Sequence, residues 1–218
     1  MHRVKHALRM QILSLRELKY AVFDLETTGF YADQGDEIIE IGGVLVEGME
    51  ITKTFQSLVN PRRSIPAAST QVHGIKDEDV KDAPTIVEIL PQFLQFVGGR
   101  ILVAQNAKFD MSFIVQKFKQ LQMPLKQTLV IDTIGLSKMI FQYENSHSLD
   151  KIMARLGIPR TGSRHRSLDD SRYTAQALIE LIKLLEQQQI KTLPEIETAF
   201  VKPETLFRQE KAKSRSLF

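Results

Sequence analysis

The order of the β-rich runs constrains this chain more than any other feature. Tyr20-Ala21-Val22-Phe23, Glu37–Glu47 and Glu50–Val59 follow one another with only short polar breaks. The first run ends in the polar turn Asp24-Leu25-Glu26-Thr27-Thr28-Gly29, Gly48 suits a hairpin between the second and third, and Asn60-Pro61 closes the set. Helical spacing then takes over. Ala83-Pro84-Thr85 reads as a helix start, Ile86, Ile89, Leu90, Phe93 and Val97 form one apolar stripe, and Gly98-Gly99 ends it. Ile101–Ala104 reads as a fourth strand, Met111, Ile114, Val115 and Phe118 mark a further helix, and Leu129–Asp132 reads as a fifth strand. Helices are predicted over residues 133–141, 148–156 and 168–187. Three strands that pair as a meander, followed by strands alternating with helices, predict an α/β fold with a mixed five-stranded sheet.

The chain has 218 residues, enough for one core of ordinary size. Its 43% hydrophobic and 25% charged residues exclude wholesale disorder. With no Cys there is no disulfide framework, thiolate zinc site or cysteine nucleophile, which fits a cytoplasmic protein. No run approaches the about 18 apolar residues of a membrane span. The formal charge of +3 is unevenly spread. Residues 1–20 hold five basic residues against one acidic, and residues 202–218 hold five against two. The body between them has 19 basic and 23 acidic residues. Basic ends suit contact with a polyanion or a partner surface. The boundaries read as a basic amphipathic extension over 1–18, with Val4, Leu8, Ile12 and Leu15 at helical spacing, a catalytic domain over 19–186, and a helix with a basic tail over 187–218.

Several acids are placed where chemistry could use them. Asp24 and Glu26 lie two apart, so a strand that persists through them would point both to one face. Two carboxylates at the end of a buried strand repel unless a cation or donor compensates, and magnesium or manganese prefers such oxygen ligands. Asp110 falls in the first turn of the helix after the fourth strand, where the helix dipole alone would favour an acid. Asp170 has the same dual reading, with Asp169 an equal competitor. His165 lies in a polar loop between Arg164 and Arg166, and nearby arginines would favour neutral imidazole.

Taken together these blocks resemble the DEDD (DnaQ-like) exonuclease superfamily in its histidine-containing branch. Its D-x-E-T-T-G motif stands as Asp24–Gly29. Its second motif stands as Ala104-Gln105-Asn106-Ala107-Lys108-Phe109-Asp110. Its H-x-x-x-x-D motif stands as His165–Asp170, which selects Asp170 over Asp169, and a V-H-G-I element stands as Val72–Ile75. The resemblance covers roughly residues 19–185, and motifs in order at family spacing are far more specific than any one alone. Within the superfamily the chain is most similar to proofreading exonuclease modules of bacterial replicative polymerases. Gln105 departs from the pattern, since relatives often carry His there.

The resemblance implies a ribonuclease H-like fold and 3′–5′ hydrolysis of phosphodiester bonds with release of nucleoside 5′-monophosphates. It implies two divalent cations, Mg²⁺ or Mn²⁺, held by Asp24, Glu26, Asp110 and Asp170. Asp24 would be shared between them, and His165 would take the proton from the attacking water. It further implies that the backbone around Leu25 and Thr27 grips a terminal nucleotide, that His73 and Asn106 help hold it, and that Phe109 stacks on a base. The expected partners are single-stranded nucleic-acid 3′ ends, with DNA favoured and RNA the alternative. A DNA polymerase served in trans and a sliding clamp are further partners, because Ser216-Leu217-Phe218 resembles the end of a clamp-binding peptide. A non-catalytic binding module is the reading from another class, and the complete set of five catalytic positions stands against it.

Overall fold

The computed structural model of the chain describes residues 13–124, 128–161 and 165–203. The N-terminal Val4, Leu8 and Ile12, the arginine at 164 and the clamp-like tail lie outside the described residues. Strands β1 (Tyr20–Thr27), β2 (Ile38–Glu47) and β3 (Glu50–Leu58) form the expected meander. Short helices α1 (Ala67–His73) and α2 (Asp77–Val80) follow, then α3 (Ile86–Val97), β4 (Ile101–Ala104), α4 (Ala107–Gln120) and β5 (Val130–Asp132). Helices α5 (Thr133–Ile140), α6 (Leu149–Arg155) and α7 (Ser167–Gln187) come next, and β6 (Phe200–Val201) is last. The sheet order is β3-β2-β1-β4-β5-β6, with β4 and β5 parallel to β1 and the remaining pairings antiparallel.

The sheet therefore has six strands, one more than predicted. The extra strand lies in the segment read as an appended helix. Leu193–Ala199 forms a 3₁₀ run broken at Ile196, and Phe200-Val201 then pairs with Val130-Ile131. Leu193, Ile196 and Ala199 are buried, which holds this segment against the body. A Cβ at Gly135 would sit 2.6 Å from the Ala199 Cα, so a glycine is required where α5 meets it. At the other end the described residues begin with a 3₁₀ turn, Leu15–Glu17, whose Leu15 joins the same core.

Strand β1 is buried on both faces, as a central strand must be. Ala21, Phe23 and Leu25 pack with Ile41 and Leu45 against α3 and α4. Tyr20 and Val22 point the other way, with Val44 and Val46, against α7. Strand periodicity then puts Asp24 and Glu26 on the α7 face, just past the apolar pair. The strand does not end at Phe23, because pairing with β2 runs on through Leu25↔Ile41 and Glu26↔Glu40. Antiparallel neighbours override the polar composition of the segment and carry both acids into the sheet. Helices α1 and α2 have no counterpart in the periodicity reading. Pro66 before α1 and the left-handed Gly74 after it are the signals that bound the first.

Candidate active site

Three elements bring the four acids together. The end of β1 supplies Asp24 and Glu26, and the first turn of α7 supplies Asp170. Carboxylate oxygens of these three lie within 4.8 Å of one another. The first turn of α4 supplies Asp110, which is buried and accepts a hydrogen bond from the Leu25 backbone N–H at 3.1 Å through Oδ1. All four acids line one cleft of about 460 Å³, together with His73, Phe109 and His165. Helix α4 can begin at this point because Asn106 adopts a left-handed conformation and Asp132 Oδ1 accepts its backbone N–H at 3.0 Å.

The electrostatics of Asp24, Glu26 and Asp110 are those of buried anions with too little counter-charge. Burial, then the charges of Asp110, Glu26, Asp170 and Glu40, push the Asp24 carboxyl well above the usual carboxylate range. Burial and the same neighbours raise Glu26 to about 8, against the pull of Arg166. Burial raises Asp110 too, although the Leu25 N–H partly offsets it. Among the described residues no hydrogen-bond donor reaches the Asp24 or Glu26 carboxylate. Close oxygen donors of high charge and low solvation suit a hard divalent cation, so the residues fit the metal that the sequence implies. Asp170 is held ready from two sides. Arg160 donates to Oδ1 at 2.9 Å and the His165 backbone N–H to Oδ2 at 3.1 Å.

His165 is exposed at the cleft, in a left-handed conformation two residues before α7. His73 is buried, and its Nδ1 accepts the Ile75 N–H at 3.1 Å, which leaves the proton on Nε2. Nε2 makes no hydrogen bond of good geometry, although the Thr27 backbone lies close enough to favour the charged ring. Burial outweighs that pull and lowers the His73 pKa.

The predicted substrate residues divide. Leu25, Thr27, His73 and Phe109 line the cleft, whereas Asn106 does not and lies exposed at the α4 N-terminus. Its neighbour Gln105 lines the cleft instead, accepting from Thr133 Oγ1 at 2.5 Å and donating to the His147 carbonyl at 2.8 Å. Sequence reasoning missed Phe30, Ser69 and Val72, which complete the wall. Phe30 is 74% exposed and stands edge-on to Phe109, ring centroids 6.3 Å apart. Its place directly after the Asp24–Gly29 motif was the one available signal.

A ribonuclease H-like sheet whose central strand delivers paired acids into a cleft closed by acids from two helices defines a nuclease-type site. The chain belongs to the RNase T exonuclease family, whose sequence pattern matches residues 21–178. It is 39% identical over 188 residues to a PolC-type DNA polymerase III of Caldanaerobacter subterraneus subsp. tengcongensis, covering 86% of this chain and 13% of that protein. It is also 39% identical over 201 residues to a DNA polymerase III subunit epsilon-like protein of Rhodobacter capsulatus, covering 91% of this chain and 28% of the relative. The chain thus spans only a small part of these relatives. Among solved structures, exonuclease X in complex with 5′ overhanging duplex DNA superposes with a TM-score of 0.64 at 26% identity, covering 83% of this chain and 99% of that one. A 3′-exonuclease that recognises a histone mRNA stem-loop shares the fold, with a TM-score of 0.69 at 20% identity over 84% of this chain and 70% of that one. No helix among the described residues is long and apolar enough to cross a membrane.

Proposed function

We propose that the chain is a divalent-cation-dependent 3′–5′ exonuclease that removes nucleoside 5′-monophosphates from DNA ends in proofreading or repair. The observation that carries this reading is the cluster of Asp24, Glu26 and Asp170, with oxygens within 4.8 Å, in a cleft with an exposed histidine at its mouth. Asp24, Glu26, Asp110 and Asp170 would hold Mg²⁺ or Mn²⁺, which when bound neutralises the carboxylates and the charge on a phosphodiester. His165 accepts the proton of the water that attacks phosphorus and passes it to solvent, which its exposure permits. The Leu25 and Thr27 backbone and the neutral His73 Nε2–H offer polar contacts to the terminal nucleotide. Phe109 and Phe30 offer ring faces to its base, a sequence-tolerant mode that suits an enzyme acting on any terminus.

DNA is favoured as the polymer because similar proteins at 39% identity are a PolC-type DNA polymerase III and a DNA polymerase III subunit epsilon-like protein, and one similar structure holds duplex DNA. The same relatives make a polymerase the natural partner. Digestion of 5′-labelled single-stranded DNA, duplex DNA and RNA with Mg²⁺ or Mn²⁺ tests the proposal. A descending ladder on DNA is expected. A ladder confined to RNA would change the substrate, and release of the labelled 5′ nucleotide first would overturn the polarity.

A further inference from the structure

Glu40 is a fifth acid beside the cluster and behaves unlike the other four. It stands directly opposite Glu26 in the β1–β2 register, so both side chains rise from the same face. Its charge helps raise both Asp24 and Glu26. Yet Glu40 is fully buried and saturated with donors. Oε1 accepts from Gln56 Nε2 at 3.0 Å and Arg166 Nη2 at 2.7 Å. Oε2 accepts from Arg166 Nε at 3.3 Å and the Ser167 N–H at 3.0 Å. Burial pushes its pKa up, but these donors together outweigh burial and hold it below the usual value. A carboxylate so occupied has no need of a cation.

All but one of its donors belong to the two residues that follow His165. Arg166 caps α7 and Ser167 opens it. The helix meets β2 at very short range, since a Cβ at Gly42 would lie 2.1 Å from the Ser167 carbonyl carbon. Strand β2 thus provides a gap at Gly42 and, two residues earlier on the same face, an anchor at Glu40. Asp170 sits within α7 and has Arg160 besides. His165 lies outside the helix, and among the described residues its one hydrogen bond runs from its backbone N–H to Asp170.

We infer that Glu40 is a positioning residue for hydrolysis: by fixing Arg166 and Ser167 it sets the place of His165 over the acid cluster. The inference rests on the proposed exonuclease activity, with His165 as the base. Glu40 touches no substrate and acts through His165, so its effect must vanish when the imidazole is absent.

A double-mutant cycle on Mg²⁺-supported hydrolysis of a single-stranded oligonucleotide tests this, using Glu40→Gln, His165→Ala and the pair. Glu40→Gln is expected to lower kcat by about 10²-fold, the cost of a small misplacement of a reacting group, with KM within about twofold. On the His165→Ala background the same substitution is expected to change the rate by less than about twofold. Arg166 is 40% exposed at its side chain and can turn to water, so the variant is expected to fold, which its melting temperature checks. Arg166→Lys, which keeps the charge and loses the two-pronged contact, is carried through the same cycle as a second route. An equal loss on both backgrounds would show a merely structural or electrostatic role and overturn the inference, as would full activity of Glu40→Gln. A wild-type protein with no hydrolysis on any polymer would instead remove the exonuclease reading, and this inference with it.

Discussion

Replacing Glu26 with Gln should abolish hydrolysis and yet make the metal-free protein more stable. The folded carboxyl titrates at about 8, whereas an unfolded glutamate titrates near its ordinary 4.5. Between those values the folded state binds more protons than the unfolded state, so stability falls as pH rises through the window. Integrated to pH 7.5, this one group costs about 4 kcal/mol, and at pH 5 it costs under about 1 kcal/mol. Gln matches the shape of the protonated acid and carries no such cost. For a chain of this size the difference corresponds to a melting temperature higher by roughly 10 °C at pH 7.5. The assay is thermal unfolding of both proteins in EDTA at pH 5 and pH 7.5, then in Mn²⁺. The gap should be wide at pH 7.5, small at pH 5, and closed by Mn²⁺ at saturation, since binding at about 1,000 times Kd stabilises the wild type by about 4.1 kcal/mol. A variant no more stable than wild type at pH 7.5, or a gap of the same size at both pH values, would refute the reasoning.

Other substitutions separate the roles in the cleft. His165→Ala should lose about 10²- to 10⁴-fold in rate while binding Mn²⁺ as well as wild type, read by single-turnover hydrolysis beside a metal titration. Phe30→Ala and Phe109→Ala should each weaken binding of a short single-stranded oligonucleotide by about 1–3 kcal/mol, measured by fluorescence anisotropy in Ca²⁺. Gly42→Ala should cost at least about 1–3 kcal/mol in urea unfolding, because its Cβ meets the α7 backbone, which cannot swing away as a side chain could.

The motifs singled out five candidate positions before any coordinates, and the structure brings Asp24, Glu26, Asp110, His165 and Asp170 to one cleft. Their convergence in one cleft was visible only through the family likeness. Periodicity located β2, β4 and the long α7 well, since each is long or uniformly apolar. It stopped β1 at Phe23, where the polar residues begin, because the pairing that extends the strand comes from β2 and leaves no local trace. Strand β6 has two residues and exists only through its pairing with β5. Counting along the second motif chose Asn106 as a cleft residue, but its left-handed backbone turns the chain, and Gln105 lines the cleft in its place. Glu40 was hidden most completely. In the sequence it is one acid in a β-rich run, and its significance arises from the register that sets it opposite Glu26 and the helix that closes over it.

The central claim, that the β1 acids and Asp170 form the cation site on which hydrolysis depends, is tested most directly by titrating Mn²⁺ into wild type and Asp24→Ala while measuring oligonucleotide hydrolysis in the same samples. The account predicts that wild type takes up Mn²⁺ and that its rate follows occupancy, while the folded variant shows neither binding at this site nor a ladder of products. Undiminished Mn²⁺-dependent hydrolysis by Asp24→Ala would contradict it.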